Sequence, residues 1–283
     1  MKLVGFSVTR MERGDIELAI EWAAQEGWNP GRDDASCFLA ADPDGFFVGR
    51  LAEQPVACIS AVRYGASFGF IGLYIVHPEF RKRGFGMQVW KVAMEHLKGR
   101  NIGLDGVVEQ QDNYRKSGFS LAHRNIRYEG TATEGAVSSD SLVPLAQVPV
   151  EEVMAYQSAF FPESRDEFMK AWIAAPEHQS FATVNKGVIT GMGVIRPCRK
   201  GFKVGPLWAD SPEVARLLLN RLLRDVPKGS NFYLDLPKPN DAAVGLAESL
   251  GMAPVFETAR MYTGVVPEIS LDRTYGLATF ELG

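Results

Sequence analysis

Arg81-Lys82-Arg83-Gly84-Phe85-Gly86 joins concentrated positive charge to two closely spaced glycines. Before it, Ile71, Leu73, Tyr74, Ile75 and Val76 form a run of large, partly β-branched and aromatic residues, as in a strand covered on both faces, and Pro78 ends the run. After it, Val89, Trp90, Ala93, Met94 and Leu97 recur at helical spacing. A helix that starts just past such a loop turns unpaired backbone N–H groups and the positive end of its dipole toward the loop. Glycine lets backbone come close to a ligand, and the arginines add mobile positive charge. The chemistry served by this combination is the binding of a diphosphate. A P-loop is excluded because Gly-x-x-x-x-Gly-Lys-Ser/Thr is absent, and a Rossmann fingerprint because the third glycine is missing.

Val76, Pro78, Arg81, Gly84 and Gly86 occupy every position of the pattern Val-x-Pro followed by Arg/Gln-x-x-Gly-x-Gly/Ala. In this the segment resembles the acetyl-CoA loop of the GCN5-related N-acetyltransferase (GNAT) superfamily. The resemblance implies acetyl-CoA as co-substrate, with Tyr74, Ile75 and Val76 along the pantetheine arm. It implies Arg81, Lys82, Arg83, Gly84, Phe85, Gly86 and Met87 around the pyrophosphate, with Asn113 also on the cofactor side. Tyr114-x-x-x-Gly118-Phe119 keeps the spacing at which the family places its general acid, which protonates the leaving thiolate. Asn113 lies directly beside Tyr114, whereas the family asparagine stands several residues upstream, so this segment is shortened. Many relatives carry a glutamate four residues before the valine of Val-x-Pro; here that position is Gly72. Glu109 is taken as the base, with Asp112 as the other nearby acid, and an amine partly deprotonated at neutral pH needs no dedicated base. His77, at a strand end before proline, reads as a surface histidine rather than a switch.

The elements that must position these groups follow in order: a strand in Lys2–Thr9, helices over Asp15–Glu26 and Asp33–Ala41, a hairpin of Phe46–Leu51 and Val56–Tyr64, the loop-bearing strand and helix, a strand over Ile102–Glu109, a helical turn at Asn113–Ser117 and a strand toward Tyr128. This is an α/β (α+β) order, and by resemblance a mixed, mostly antiparallel sheet flanked by helices with its fourth and fifth strands splayed. Residues 131–141 are rich in small and polar types and read as a linker. Beyond them Phe202–Trp208, a helix capped by Ser211-Pro212, Asn231–Leu236, a helix over Asp241–Leu250 and Met252–Tyr262 repeat the second half of the first unit. Gly205-Pro206-Leu207 stands where Gly72-Leu73-Tyr74 does. The repeat has only Ala209-Asp210-Ser211 in place of the basic loop, and alanine (Ala247) in place of the tyrosine. The chain therefore resembles bacterial tandem GNAT proteins: an active domain at 1–130, the linker, and a degenerate domain at 142–283.

The net charge of −4 argues against a general nucleic-acid binder. Cys37, Cys58 and Cys198 lack metal or disulfide spacing and read as reduced packing residues, and the amino terminus has no apolar signal segment, which together suggest a cytoplasmic protein. No run is long enough for a membrane span. The expected activity is acetyl transfer to the primary amine of a small molecule, with Trp28, Asn29, Arg165 and Arg196, and also Arg260 and Tyr262, as acceptor contacts. A non-catalytic CoA-binding sensor or scaffold and a protein or peptide N-acetyltransferase are the alternatives, and the oligomeric state is left open.

Overall fold

A computed structural model describes residues 5–133 and 141–283. Its elements run β1 (Phe6–Arg10), α1 (Arg13–Gln25), α2 (Asp34–Ala41), β2 (Phe46–Leu51), β3 (Gln54–Tyr64), β4 (Phe68–Val76), α3 (Phe85–His96), β5 (Asn101–Val107), α4 (Gln111–Lys116) and β6 (Ser120–Thr131). They continue with β7 (Leu142–Pro144), α5 (Val150–Gln157), α6 (Asp166–Ala174), β8 (Gln179–Asn185), β9 (Val188–Pro197), β10 (Phe202–Ala209), α7 (Pro212–Leu223), β11 (Asn231–Pro237), α8 (Asp241–Ser249), β12 (Ala253–Tyr262) and β13 (Thr274–Gly276). Local sequence accounts for the helix starts. Glu12 and Asp15 form a capping box at α1, Ser211 caps α7 ahead of a proline at its first position, and Asn240 caps α8 by accepting the Ala243 N–H at 3.0 Å. Helix α3 buries Val89, Trp90 and Ala93 against the first half of the sheet, and α7 buries Ala215, Leu218 and Leu222 against the second.

All strands join one sheet in the order β1-β2-β3-β4-β5-β12-β6-β11-β10-β9-β8-β7, with β13 added to β10. Only β4·β5 and β10·β11 pair in parallel among the described strands. The two halves are not each closed on themselves. β12 lies between β5 and β6, and β6 between β12 and β11, so each half receives a strand from the other. Sequence boundaries at residues 130 and 142 separate the elements along the chain, but the hydrogen-bonded sheet crosses them. Of the linker at 131–141, residues 134–140 lie outside those described, as do Lys2–Val4 of the expected first strand. The β8–β9 hairpin and the α5–α6 pair complete the second half, where sequence periodicity had indicated only the later elements.

The exchange is pinned by charge. Arg260 of β12 is the cross-strand partner of Asp105 on β5, and its Nε and Nη2 donate to the carboxylate at 2.8 and 2.6 Å. Arg127 of β6 faces Asp235 of β11 in the same way, donating at 2.6 and 2.7 Å. The two pairs differ in environment. Burial alone would raise Asp235, but Arg127 and Lys203 outweigh it and hold the carboxyl below the usual range. Asp105 has Arg260 as its one cationic partner, and burial leaves it above the usual range. A third pair, Asp34–Arg196 at 2.9 Å, ties the first residue of α2 to β9 with both side chains fully buried. Arg196 also lies over the Trp172 ring, 4.3 Å from its centroid, and its Nη1 and Nη2 have no hydrogen-bond partner.

Removing one member of that last pair leaves the other charge buried and uncompensated. Asp34→Ala should destabilise the fold by about 3–5 kcal/mol, whereas Asp34→Leu combined with Arg196→Met should recover most of the loss. Urea denaturation of the three proteins checks this.

Candidate active site

β4 and β5 pair only from Phe68 to Ile71 opposite Asn101 to Leu104. Beyond that point β4 carries a bulge, in which Leu73 and Tyr74 stand opposite the single residue Ile59 between the Ser60–Gly72 and Cys58–Ile75 partners. Leu73 takes φ = +44°, a left-handed conformation that costs a branched side chain energy. The strands part here as the sequence led one to expect, and a cavity of about 540 Å³ opens between Gly72–Val76 on one side and Asp105–Val107 on the other.

The outer end of the cavity is the basic loop. Arg81, Lys82, Gly84, Phe85, Gly86 and Met87 line it, with Met87 half exposed at the mouth. Lys82 at φ = +62° and Gly84 at φ = +88° curl the backbone just before α3, which aims the first N–H groups of the helix into the opening. Gly86 has a packing role as well: a Cβ there would lie 2.7 Å from the Tyr74 hydroxyl and 2.9 Å from a Val76 methyl. Arg81 is held in place by Nε donation to the Val76 carbonyl at 2.9 Å and by an ion pair with Glu26. Arg83 points elsewhere and lies over Phe80, 5.4 Å from the ring centroid.

The wall beside the loop is aromatic and phenolic. Tyr74 and Tyr114 both line the cavity, with the Trp90 ring between them at 5.3 and 5.7 Å. Burial raises both hydroxyls, and Tyr74 adds to the effect on Tyr114. Each phenol is therefore kept protonated at neutral pH. Tyr114 is placed by its own short helix, and a Cβ at Gly106 would meet its ring at 2.2 Å, so the glycine makes room for it.

The far wall comes from residues that sequence reasoning did not single out: Phe256 and Thr258 of β12, Phe280 and Glu281 of the following tail, and Asp105. Thr258 is 1% exposed and its hydroxyl has no hydrogen-bond partner. Asp105 could have been picked out as the polar residue in an otherwise apolar strand; the tail residues carry no local signal. The exchanged strand brings Phe256 and Thr258 in, and register across the sheet cannot be read from one segment.

Trp28 also lines the cavity, held by its carbonyl, which accepts from Arg127 at 2.6 Å and Lys203 at 3.4 Å. The remaining candidates are placed otherwise. Asn29 is buried and exchanges hydrogen bonds with the Lys200 backbone, fastening the loop rather than facing the cavity. Arg165 is buried under Phe161 and donates to the Gly283 carbonyl at 2.7 Å, and Arg196 is the fully buried partner of Asp34. Arg260 is engaged by Asp105, and Tyr262 is buried beside it. Glu109 sits in a single 3-10 turn after β5, exposed and outside the cavity lining. Asn113 bonds Gln110 on the exposed side of α4, and Asp112 pairs with Arg115 there. His77 is half-buried between Trp22 and Phe80.

Residues 15–119 match the acetyltransferase (GNAT) family and residues 153–276 match an acetyltransferase (GNAT) domain. The chain belongs to the GNAT family. It is 28% identical over 267 residues to holothin acyltransferase of Pseudoalteromonas sp., which spans 94% of this chain and 91% of that protein. Among solved structures, a candidate acetyltransferase from Pyrococcus horikoshii superposes with a TM-score of 0.84 at 23% identity, covering 100% of this chain and 98% of that one. A tandem GNAT protein from the clavulanic acid biosynthesis pathway gives 0.63 at 15% identity, over 92% and 99%. These structural likenesses are of fold: a mostly antiparallel sheet, flanked by helices, built from two GNAT-like halves. GNAT proteins are acyltransferases that draw on acyl-CoA, and in this chain the cavity joins the basic loop to the gap between β4 and β5.

No helix among the described residues is long and apolar enough to cross a membrane.

The Glu26–Arg81 ion pair lies where a diphosphate would compete for the guanidinium. Glu26→Gln should leave Arg81 free and tighten acyl-CoA binding, by up to about fivefold given that a partly exposed pair is worth at most about 1 kcal/mol. Calorimetric titration with acetyl-CoA at two salt concentrations checks this.

Proposed function

We propose that this protein transfers an acetyl group from acetyl-CoA to the primary amine of a small molecule. The observation that carries the proposal is a single cavity with the basic loop at its mouth, split strands along its length and Tyr114 on its wall. The pantetheine arm lies along Gly72–Val76 as an added strand, with the diphosphate on the N–H groups at the start of α3. That alignment brings the thioester to the bulge at Leu73–Tyr74. The amine attacks the carbonyl carbon, the C–S bond breaks, and Tyr114 gives its proton to the departing thiolate. Burial keeps the Tyr114 phenol protonated at neutral pH, so it has a proton to give as the C–S bond breaks. Tyr74, which also packs on Trp90, lines the same space.

A small acceptor is favoured by the makeup of the wall. Trp28, Phe256, Phe280 and Thr258 line the cavity and narrow the space left beside the bulge. The volume of about 540 Å³ is of the order that a small ligand fills. The relative from Pseudoalteromonas is named for one acceptor, holothin, which supports a dedicated acceptor here without transferring its identity. Reduced cysteines suit a cytoplasmic setting: Cys37, Cys58 and Cys198 are all free and buried.

Acetyl-CoA titrated into wild type and a folded Gly84→Glu variant should bind the first and not the second, since a carboxylate at that position opposes the diphosphate. Thiol release is then followed with a panel of primary amines. Tyr114→Phe should lower kcat about 100-fold while leaving the Kd for acetyl-CoA unchanged. Binding without turnover on any amine would favour a CoA-binding sensor, and an unaltered kcat in Tyr114→Phe would remove the tyrosine from the mechanism.

A further inference from the structure

The cavity has three carboxylates on its wall: Glu26, Asp105 and Glu281. Glu26 is at the mouth, in an ion pair with Arg81 of the loop. Asp105 has both oxygens engaged by Arg260 and one also by Asn125 at 2.8 Å, so it is occupied in holding β12. Glu281 differs. One oxygen, Oε2, accepts the Thr279 hydroxyl, and Oε1 receives no hydrogen bond from the described residues. The residue is 4% exposed, so this carboxylate faces the cavity rather than bulk water.

Its placement is tightly specified. The tail lies directly against β4, and a Cβ on residue 72 would sit 1.9 Å from the Glu281 carbonyl oxygen, a separation no side chain permits. Gly72 is the residue immediately before the bulge, where the thioester is expected. The tail is anchored on both sides of this point. The Leu277 N–H donates to Asp235 at 2.7 Å, and the Leu282 carbonyl accepts the Tyr64 hydroxyl at 3.0 Å. Phe280 packs beneath Arg127, 5.2 Å from its guanidinium carbon. Glu281 also interacts electrostatically with Arg127, Arg196 and Lys203, the cations that hold Trp28 and the neighbouring loop.

We infer that Glu281 is the general base of this enzyme, supplied by the tail of the second half to the cavity of the first. The inference rests on the acyltransferase reading above and names the group that this reading lacks. As the amine nitrogen bonds to the thioester carbon, Glu281 takes the proton that the nitrogen sheds. The C–S bond then breaks and the thiolate receives the Tyr114 proton. The carboxylic acid and the phenolate left behind are restored by net transfer of one proton from Glu281 to Tyr114 through solvent, so the cycle consumes only the amine and the acyl-CoA. Thr279 is a positioning residue: its hydroxyl donates to Oε2 and also accepts the Glu281 N–H at 3.2 Å, which leaves Oε1 turned to the substrate.

The test follows thiol release from acetyl-CoA, with phenethylamine as acceptor and with water alone, in wild type, Glu281→Gln and Glu281→Ala. The glutamine variant should lose at least about 100-fold in kcat, with an unchanged thermal midpoint and an unchanged calorimetric affinity for acetyl-CoA. The alanine variant should be equally slow and should recover on addition of sodium formate, a rescue that a purely structural role would not produce. A glutamine variant within about threefold of wild type overturns the assignment, as does an alanine variant that formate does not restore. Wild type that binds acetyl-CoA but releases no thiol above the solution rate, with amine or with water, also overturns it. Wild type that fails to bind acetyl-CoA defeats the functional reading itself.

Discussion

Two buried Asp–Arg forks hold this molecule in register. Asp105–Arg260 and Asp235–Arg127 each bridge a strand of one half to the strand borrowed from the other, and each is bidentate with both partners nearly inaccessible to water. Taking four charges out of water is costly, and apolar residues at these positions could have packed the sheet as well. What the forks add is specificity. A one-residue slip of β12 would turn Arg260 to the opposite face and leave Asp105 buried without a partner, so the alternative pairings are penalised heavily. The same slip would take Phe256 and Thr258 off the cavity wall. Register and active-site composition are thus set by the same contacts.

The two halves use one architectural device in opposite ways. Each has a parallel strand pair that parts after a few residues, and a glycine at the parting point, Gly72 in the first and Gly205 in the second. In the first half the gap is the cavity proposed for acyl-CoA. In the second half β13 pairs with β10 at Leu207 and Trp208 and fills the corresponding opening. A Cβ at residue 205 would strike the Leu277 carbonyl oxygen at 2.3 Å, as one at residue 72 would strike that of Glu281. Both glycines are there for close backbone approach by the same tail. The tail therefore closes the gap in the second half and finishes the cavity wall in the first.

Much of this was legible in the sequence, and the boundary of legibility has a physical cause. The basic loop and its flanking strand and helix follow from residues close together in the chain, while the splay of β4 from β5 and the place of Tyr114 were implied by the family resemblance that those residues carry. A local signal also placed α7, through its Ser211 cap and Pro212. What was missed depends on long-range register. Arg165 and Arg196 looked like cleft cations because nothing near them in sequence shows that Gly283 and Asp34 engage them. Glu109 looked like a base because a strand was extended past Val107, whereas the chain turns there and leaves the carboxylate outside. Gly72 looked like a missing acid. The group beside it is donated from the far end of the second half, and a β4 side chain is absent because the tail backbone takes its space.

Strand exchange also sets a timetable. A ribosome delivers β1 to β6 long before β12 exists, so the emerging first half carries an unpaired edge at β5 and an acyl groove open on one side. Exposed edges of that kind invite wrong partners, and pairing between distant segments is slow. Until β12 and the tail arrive, there is no far wall, no Phe256 or Phe280, and no Glu281. The nascent first half holds the basic loop before it holds the groups that would complete the cavity wall.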